Sequence, residues 1–161
     1  AGADGSEAGT MSAVNTPAAM GLPPLVERYN ALRADNLREL LACYAEQAHF
    51  KDPFNDVVGR AEIDRIFRHM FATLEQPTFV IGNALAGDRD AMLRWEFRFG
   101  LSGKSYLVPG STALAFDDSG RVIDHVDYWD PTETVWAHLP LVGAPVRWLR
   151  RRFSSAHFER G

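Results

Sequence analysis

The longest regular pattern in this sequence is a strict alternation of side chains over residues 91–101. Large apolar side chains occupy every second position, and charged side chains stand between them. The apolar members are Leu93, Trp95, Phe97 and Phe99, and the charged members are Arg94, Glu96 and Arg98. Because successive side chains of a β-strand point to opposite faces, this segment predicts a long strand with one apolar face.

Turn residues on both sides of this strand indicate that it belongs to an antiparallel meander. A stretch rich in glycine and aspartate precedes it at residues 86–90, and Ser102-Gly103 can form a tight hairpin after it. Further strands are predicted over residues 78–85, 105–116 and 122–129, the last two joined by a turn at 117–120.

The first half of the chain has helical periodicity instead. Leu25, Tyr29 and Leu32 recur at spacings of four and three, which places them on one stripe of a helix. A second helix is predicted to run through Tyr44 into a short strand over residues 48–52, and a third helix is predicted over residues 61–74. Helices followed by antiparallel strands predict an α+β fold, with the helices packed on one face of a curved sheet.

The chain divides into three parts by composition. Residues 1–24 are rich in Ala, Gly, Ser, Thr and Pro and are expected to form a flexible tail. Residues 25–139 are expected to form one domain. Residues 140–161 form a basic extension, which is expected to be a helix packed on the domain with its arginines in water.

Composition and charge exclude several classes of protein. The 161 residues are 46% hydrophobic and 24% charged, which is typical of a soluble globular protein. The net charge of −4 gives no general attraction for nucleic acid. No apolar run approaches the roughly 20 residues that a transmembrane helix needs. The single cysteine, Cys43, leaves no internal disulfide and fits a reducing compartment, so a cytoplasmic location is expected.

The segment from His49 to Phe54 contains the first candidate for chemistry. Pro53 fixes its own φ and favours an extended conformation at Asp52, so this carboxylate is held where the backbone turns. Two interpretations follow from this pattern. Asp52 is either a general base placed at a pocket, or an ordinary turn residue whose side chain accepts hydrogen bonds from nearby backbone amides.

Two longer motifs carry a resemblance to a known superfamily. Tyr-Ala-Glu-Gln-Ala-His-Phe-Lys-Asp-Pro stands at 44–53, and Gly-Arg-Val-Ile-Asp-His-Val-Asp-Tyr-Trp-Asp stands at 120–130. With this order of elements, the chain resembles the nuclear transport factor 2-like, or SnoaL-like, superfamily. The resemblance implies a cone in which a bent sheet wraps a long helix around an apolar pocket. It also implies an apolar small-molecule ligand, a homodimer packed through the outer face of the sheet, and no cofactor.

Comparison with ketosteroid isomerase, a member of that superfamily, assigns roles to particular residues. Asp52 matches its general base, which stands in an Asp-Pro step, and Tyr29 matches a tyrosine that donates to the substrate oxygen. Thr112 stands where that enzyme has a second donor, a protonated aspartate, so this sequence departs from the pattern there. The superfamily resemblance also implies that Phe50 and Trp129 contact a ligand in the pocket.

A second comparison, with limonene-epoxide hydrolase, implies a different reaction. Its Asp-Arg-Asp centre would correspond to Glu96, Arg94 and Asp127, with the arginine holding two carboxyl groups in different protonation states. The alternation over residues 91–101 instead favours a solvated or dimer-facing row of ion pairs on the charged face. The orientation of this face decides between the two interpretations.

His125 and Asp127 share a strand face and could form an acid–base pair in the pocket wall. With His49 they could also supply metal ligands, but the sequence contains no recognisable ligand set, and no metal is expected. The resulting hypothesis is a cofactor-independent isomerase-type or hydrolase-type enzyme with Asp52 as general base. The competing hypothesis is a binding module in which the same polar groups only orient a ligand.

Overall fold

A computed structural model of the chain describes residues 15–131. Three helices and six strands follow one another along this part of the chain. They are α1 (Pro17–Asn30), α2 (Leu37–Leu41), β1 (Tyr44–Lys51), β2 (Asp56–Val58), α3 (Arg60–Thr73), β3 (Glu75–Ala86), β4 (Asp90–Leu101), β5 (Lys104–Phe116) and β6 (Val122–Tyr128). The basic extension predicted over residues 140–161 lies outside the described residues.

All six strands form one curved, open sheet in the order β2-β1-β6-β5-β4-β3. The strands from β3 to β6 pair antiparallel with their neighbours in sequence, which confirms the predicted meander. Strand β1 differs from these strands, because it pairs parallel with β6. The predicted α+β fold, with helices on one face of a curved sheet, is therefore confirmed.

The register of the strands decides which side chains share a face. Thr112 on β5 lies opposite Leu93 on β4 and opposite Asp127 on β6, so these three residues face the same side of the sheet. Since Trp95 is two positions beyond Leu93, it lies on that side as well. We call this the inner face, because α1 and α3 pack against it and most of its apolar side chains are buried.

Helix α1 begins earlier than predicted. Thr16 caps its N-terminus, with Oγ1 accepting from the Ala19 amide at 3.2 Å, and proline at the first helical position is compatible with a helix start. Residues 17–24 are therefore helical, and the predicted tail is too long. The physical reason is a buried stripe that continues towards the N-terminus. Its members are Ala18, Gly21, Leu22, Leu25 and Tyr29.

Helix α2 ends earlier than predicted, at Leu41. The amide of Val122 donates to the carbonyl of Cys43 at 2.9 Å, and Tyr44 already pairs with Val122 in the sheet. The prediction that the second helix runs through Tyr44 is wrong, because pairing with β6 draws these residues into β1. Tyr44 is consequently a fully buried strand residue.

A close contact fixes the position of α1 against the sheet. A Cβ atom added at Gly21 would lie 2.1 Å from the carbonyl oxygen of Gly120 and 2.6 Å from the Phe116 ring. Only a residue without a side chain lets the helix approach the turn between β5 and β6 so closely. Tyr29, two turns further along α1, is brought over the inner face by the same approach.

Candidate active site

A cavity of about 320 Å³ lies between the inner face of the sheet and helices α1 and α3. Its size falls in the roughly 300–1,000 Å³ range of small-molecule sites. Aromatic side chains supply much of the wall, namely Phe50, Phe67, Phe79, Trp95, Phe97 and Phe99. Seven residues with a hydroxyl, imidazole or carboxyl group lie in the same wall, and these are Tyr29, Asp52, His69, Thr73, Thr112, His125 and Asp127.

A chain of hydrogen bonds begins at Trp95 and runs through Thr112 to Asp127. The indole Nε1 of Trp95 donates to Thr112 Oγ1 at 2.8 Å. Because indole can only donate, the Thr112 hydroxyl must use its own proton on Asp127 Oδ1, at 2.5 Å. The direction of both bonds is therefore determined by the chemistry of the indole.

His125 continues the chain from the other side of Asp127. Its Nε2 lies 2.9 Å from Asp127 Oδ1, and its Nδ1 lies 2.9 Å from the hydroxyl of Tyr44. The Tyr44 hydroxyl lies 2.7 Å from that of Tyr29. The imidazole is 2% exposed and stacks on Phe50 with ring centroids 4.6 Å apart, so its orientation is determined on every side.

Asp127 combines a fixed orientation with an unused oxygen. Oδ1 accepts from Thr112 and His125, whereas Oδ2 has no hydrogen-bond partner within residues 15–131. The side chain is 16% exposed and contributes to the cavity wall. A carboxylate held in this way has a lone pair available for a proton from a bound ligand.

Burial keeps Tyr29 and Tyr44, the two tyrosines of the hydrogen-bonded chain, in their neutral form. Burial raises the pKa of Tyr29 well above its ordinary value, and the nearby Tyr44 and Asp127 raise it further. Burial also raises the pKa of Tyr44, although the hydrogen bond with Tyr29 offsets part of this effect. Both hydroxyls therefore act as hydrogen-bonding groups and not as stable phenolates.

Asp52 fits both interpretations that the sequence left open. It contributes to the cavity wall, and its carboxyl group also closes the turn after β1. Oδ1 accepts from the amides of Phe54 and Asn55, both at 2.7 Å, and the Asn55 side-chain amide reaches Oδ1 at 3.0 Å and Oδ2 at 2.9 Å. Most of its accepting capacity is thus used by the turn.

Arg94 and Glu96 do not line the cavity. They alternate with inward-facing residues of β4 and lie on the outer face, where Glu96 Oε2 accepts from Arg98 at 2.8 Å. The expectation that Arg94 and Glu96 bind a ligand beside Asp127 is corrected by this placement. The centre required by the comparison with limonene-epoxide hydrolase is not formed, because the charged face of the strand is the solvated one.

His49 also lies on the outer face. Its Nδ1 is 2.6 Å from Asp124 Oδ1 and its Nε2 is 2.8 Å from Asp56 Oδ1, so it points away from His125. The histidine, cysteine and acidic side chains between residues 15 and 131 form no group of three that could hold a metal ion. In the same range, no helix is long and apolar enough to cross a membrane.

The sequence pattern missed two members of the hydrogen-bonded chain. Tyr44 was assigned to a helix, and Trp95 was treated only as an apolar strand residue. The remaining predicted residues are brought together, because Tyr29, Phe50, Thr112 and Trp129 contribute to the same cavity wall as Asp127. A signal for Trp95 did exist, since a buried indole usually finds a hydrogen-bond acceptor on a neighbouring strand.

Solved structures with the same fold support the architecture. A protein from Catenulispora acidiphila with a ketosteroid isomerase-like fold, solved in complex with trimethylamine, has a TM-score of 0.63 at 18% identity, covering 78% of this chain and 97% of its own. A putative polyketide cyclase from Xanthomonas campestris has a TM-score of 0.62 at 17% identity, covering 73% and 93%. An LEH-like epoxide hydrolase from M. tuberculosis has a TM-score of 0.58 at 14% identity, covering 71% and 84%.

Sequence comparison identifies the family. No curated protein matches the chain. The family model of the SnoaL-like domain matches residues 25–125, which include α3, the first five strands and His125. This chain therefore belongs to the SnoaL-like domain family.

Proposed function

We propose that this protein binds a flat, largely apolar small molecule in the cavity and moves a proton on it, with Asp127 as the base. The observation that carries this proposal is a carboxylate oriented in the wall of an apolar cavity, with an Oδ2 atom that accepts no hydrogen bond from residues 15–131. Such a reaction is of the isomerase or cyclase type and requires no cofactor, because a base and hydrogen-bond donors suffice for it.

The wall of the cavity supports a planar ligand with one polar end. Phe79 stacks on Phe97 with ring centroids 4.4 Å apart, and these rings offer flat apolar contact area. Four polar residues of the wall, Tyr29, Thr112, His125 and Asp127, belong to one connected chain of hydrogen bonds, so a single oxygen of the ligand could be recognised there. A similar structure is named a putative polyketide cyclase, which is consistent with chemistry on small organic molecules.

Asp127 is favoured over Asp52 as the base because of what each carboxylate already binds. Asp52 accepts four hydrogen bonds, all from residues of its own turn. From the residues that the structure describes, Asp127 accepts two, both on Oδ1. Asp52 remains the second candidate, since it lines the same cavity and its Oδ2 accepts only one hydrogen bond.

Proton exchange on 2-tetralone, a flat bicyclic ketone with an acidic C–H group, tests this proposal. We expect the protein to accelerate the incorporation of deuterium from heavy water, followed by NMR. Asp127→Asn should reduce the rate by about 10²- to 10⁴-fold while changing the affinity for 2-naphthol, which imitates the enol, by no more than a few fold. Asp52→Asn should reduce the rate much less.

Three results would contradict the proposed roles. Exchange no faster than in buffer would favour the non-catalytic binding module. A fully active Asp127→Asn variant would exclude Asp127 as the base. Loss of exchange only in Asp52→Asn would assign the base to Asp52, as the comparison with ketosteroid isomerase implies.

The outer face of the sheet is the proposed contact surface of a homodimer. Val80, Met92 and Leu107 are 41%, 45% and 50% exposed on this face, beside the ion pair of Glu96 and Arg98. Light scattering after gel filtration should give the mass of a dimer, and Leu107→Glu should shift it towards a monomer. A monomeric wild-type protein would exclude this arrangement.

A further inference from the structure

The directions of the hydrogen bonds around His125 depend on its protonation state. An ionised carboxylate can only accept, so His125 Nε2 must carry a proton towards Asp127. In neutral His125 the other nitrogen, Nδ1, is then an acceptor, and Tyr44 must donate to it. The single proton of Tyr44 is used in this bond, so Tyr29 must donate to Tyr44. Tyr29 can then offer a ligand only its oxygen lone pairs.

Protonation of His125 reverses the direction in which the hydroxyls of Tyr44 and Tyr29 donate their hydrogen bonds. With protons on both ring nitrogens, Nδ1 donates to Tyr44, Tyr44 donates to Tyr29, and the proton of Tyr29 becomes available to the cavity. Tyr29 therefore accepts from a ligand when His125 is neutral and donates to it when His125 is charged. This change requires only the rotation of the two tyrosine hydroxyl groups.

We propose that Tyr29 and Tyr44 form a proton relay between Nδ1 of His125 and a ligand oxygen at the wall of the cavity. The relay deepens the proposed function and rests on it. In the forward direction Nδ1 gives its proton to Tyr44, Tyr44 gives its own to Tyr29, and Tyr29 gives its own to the ligand oxygen. Each hydroxyl loses one proton and gains one, so both tyrosines remain neutral.

The relay balances the charge of an enolisation. Asp127 Oδ2 takes the proton from the ligand carbon, the C–H electron pair forms the new C=C bond, and the carbonyl oxygen receives the relayed proton. An imidazolium and a carboxylate become a neutral imidazole and a neutral carboxylic acid. The ligand is converted from ketone to enol without ever carrying a full negative charge in the apolar cavity, where such a charge is costly.

Burial favours transfer through the two hydroxyls in one concerted event. Burial raises the pKa of Tyr29 and of Tyr44, so a free phenolate at either position is disfavoured. The short distances of 2.7 Å and 2.9 Å along the chain are compatible with a concerted transfer. Tyr44 does not line the cavity and is therefore a positioning and relay residue.

Several other titratable groups lie near His125 and the two tyrosines, and the test must separate their effects from that of His125. Asp127 and Tyr44 are hydrogen-bonded to His125, and Tyr29 is hydrogen-bonded to Tyr44. Cys43 acts electrostatically on both tyrosines, and its own thiol is neutral because burial raises its pKa. Asp52 and His69 lie elsewhere in the cavity wall.

The relay is tested by the pH dependence of ligand binding, which requires no turnover. The probes are 2-tetralone, whose oxygen can only accept, and naphthalene, which has no oxygen. Binding is measured through the fluorescence of Trp95 and Trp129, both in the cavity wall. The affinity for 2-tetralone should be about two- to tenfold higher at pH 5 than at pH 8, because protonated His125 turns the Tyr29 proton towards the ligand, and that for naphthalene should not change.

Tyr44→Phe should remove this pH dependence, because Tyr29 is then disconnected from His125. His69 and Asp52 are still present in that variant, so a flat profile excludes them as its source. Tyr29→Phe should also give a flat profile, and it provides a second test if Tyr44→Phe fails to fold. Tyr128→Phe, which removes a hydroxyl from a side chain 57% exposed on the outer face, is the matched control and should keep the wild-type profile.

Two outcomes would overturn the relay. One is a wild-type affinity for 2-tetralone that does not change with pH, or changes equally for naphthalene. The other is a Tyr44→Phe variant that keeps the wild-type profile. Either result is distinct from failure of the proposed function, since loss of exchange in Asp127→Asn is measured separately from binding.

Discussion

Replacing Gly21 with alanine tests how closely α1 must approach the sheet. The new Cβ would lie 2.1 Å from Gly120 O and 2.6 Å from Cδ1 of Phe116. Neither neighbour can easily move aside, because the first is a backbone atom in a turn with φ of +78° at Gly120 and the second belongs to a ring that is 1% exposed. The helix itself must therefore move outwards.

Two opposing effects determine the magnitude. Alanine is more favourable than glycine in a helix interior by about 1 kcal/mol. Overpacking a core typically costs about 1–3 kcal/mol, and a contact with rigid backbone belongs at the upper end of that range. We expect Gly21→Ala to lower the free energy of unfolding by about 2 kcal/mol. Because Tyr29 lies on the same helix, the variant should also weaken binding of 2-tetralone.

Urea unfolding followed by tryptophan fluorescence measures this change. Gly82→Ala is a suitable control, since its Cβ would meet only the carbonyl oxygen of Arg94, at an ordinary 3.5 Å. The control should remain within about 1 kcal/mol of the wild type. An unchanged or higher unfolding midpoint for Gly21→Ala would refute the argument that this contact positions α1.

Two further predictions concern the dependence of stability on pH. Burial raises the pKa of Asp117, but hydrogen bonds within the turn at 117–121 outweigh this effect and lower the pKa to about 2. The resulting stabilisation, of about 2 kcal/mol, is complete above the ordinary pKa of 3.8 and is lost as the pH falls to 2. Asp117→Asn should therefore be less stable than the wild type at pH 7 and equally stable near pH 2 in urea titrations. Hydrogen bonds to Asp56 and Asp124 raise the pKa of His49, so its charged form stabilises the fold below the ordinary histidine pKa, and this contribution is lost as the pH rises through the raised value. Thermal unfolding of His49→Gln should show a larger loss at pH 5.5 than at pH 9, and an equal loss at both would contradict this role.

The features that the sequence predicted well are those encoded by local periodicity. The alternation over residues 91–101 predicts a long strand, and the structure has β4 over Asp90–Leu101. The same alternation also indicates which face of the sheet carries Arg94. The apolar face of such a strand packs against helices, so the charged face with Arg94 lies outside. The comparison with limonene-epoxide hydrolase pointed the other way, and the burial of Trp95 and Phe99 decided against it.

The parts that could not be predicted depend on contacts between distant residues. Tyr44 follows a run of leucines and an alanine with helical spacing, and only its pairing with Val122 in β6 makes it a strand residue. Its contact with His125 joins residues 81 positions apart. The proline after Asp52, taken alone, favoured a turn over a pocket position, and the hydrogen bonds from Asn55 show that Asp52 closes the turn.

The parallel pairing of β1 with β6 has a consequence for how the protein folds. This pairing joins the first strand to the last one in the described chain, whereas the meander from β3 to β6 can form from neighbouring hairpins. Loop closure over such a separation is entropically costly, so distant strands tend to pair late and slowly. The bond between Tyr44 and His125 should consequently form only in the final step of folding. A protein trapped before that step would contain most of its sheet and the bonds among Trp95, Thr112, Asp127 and His125, but not the link from His125 to the two tyrosines.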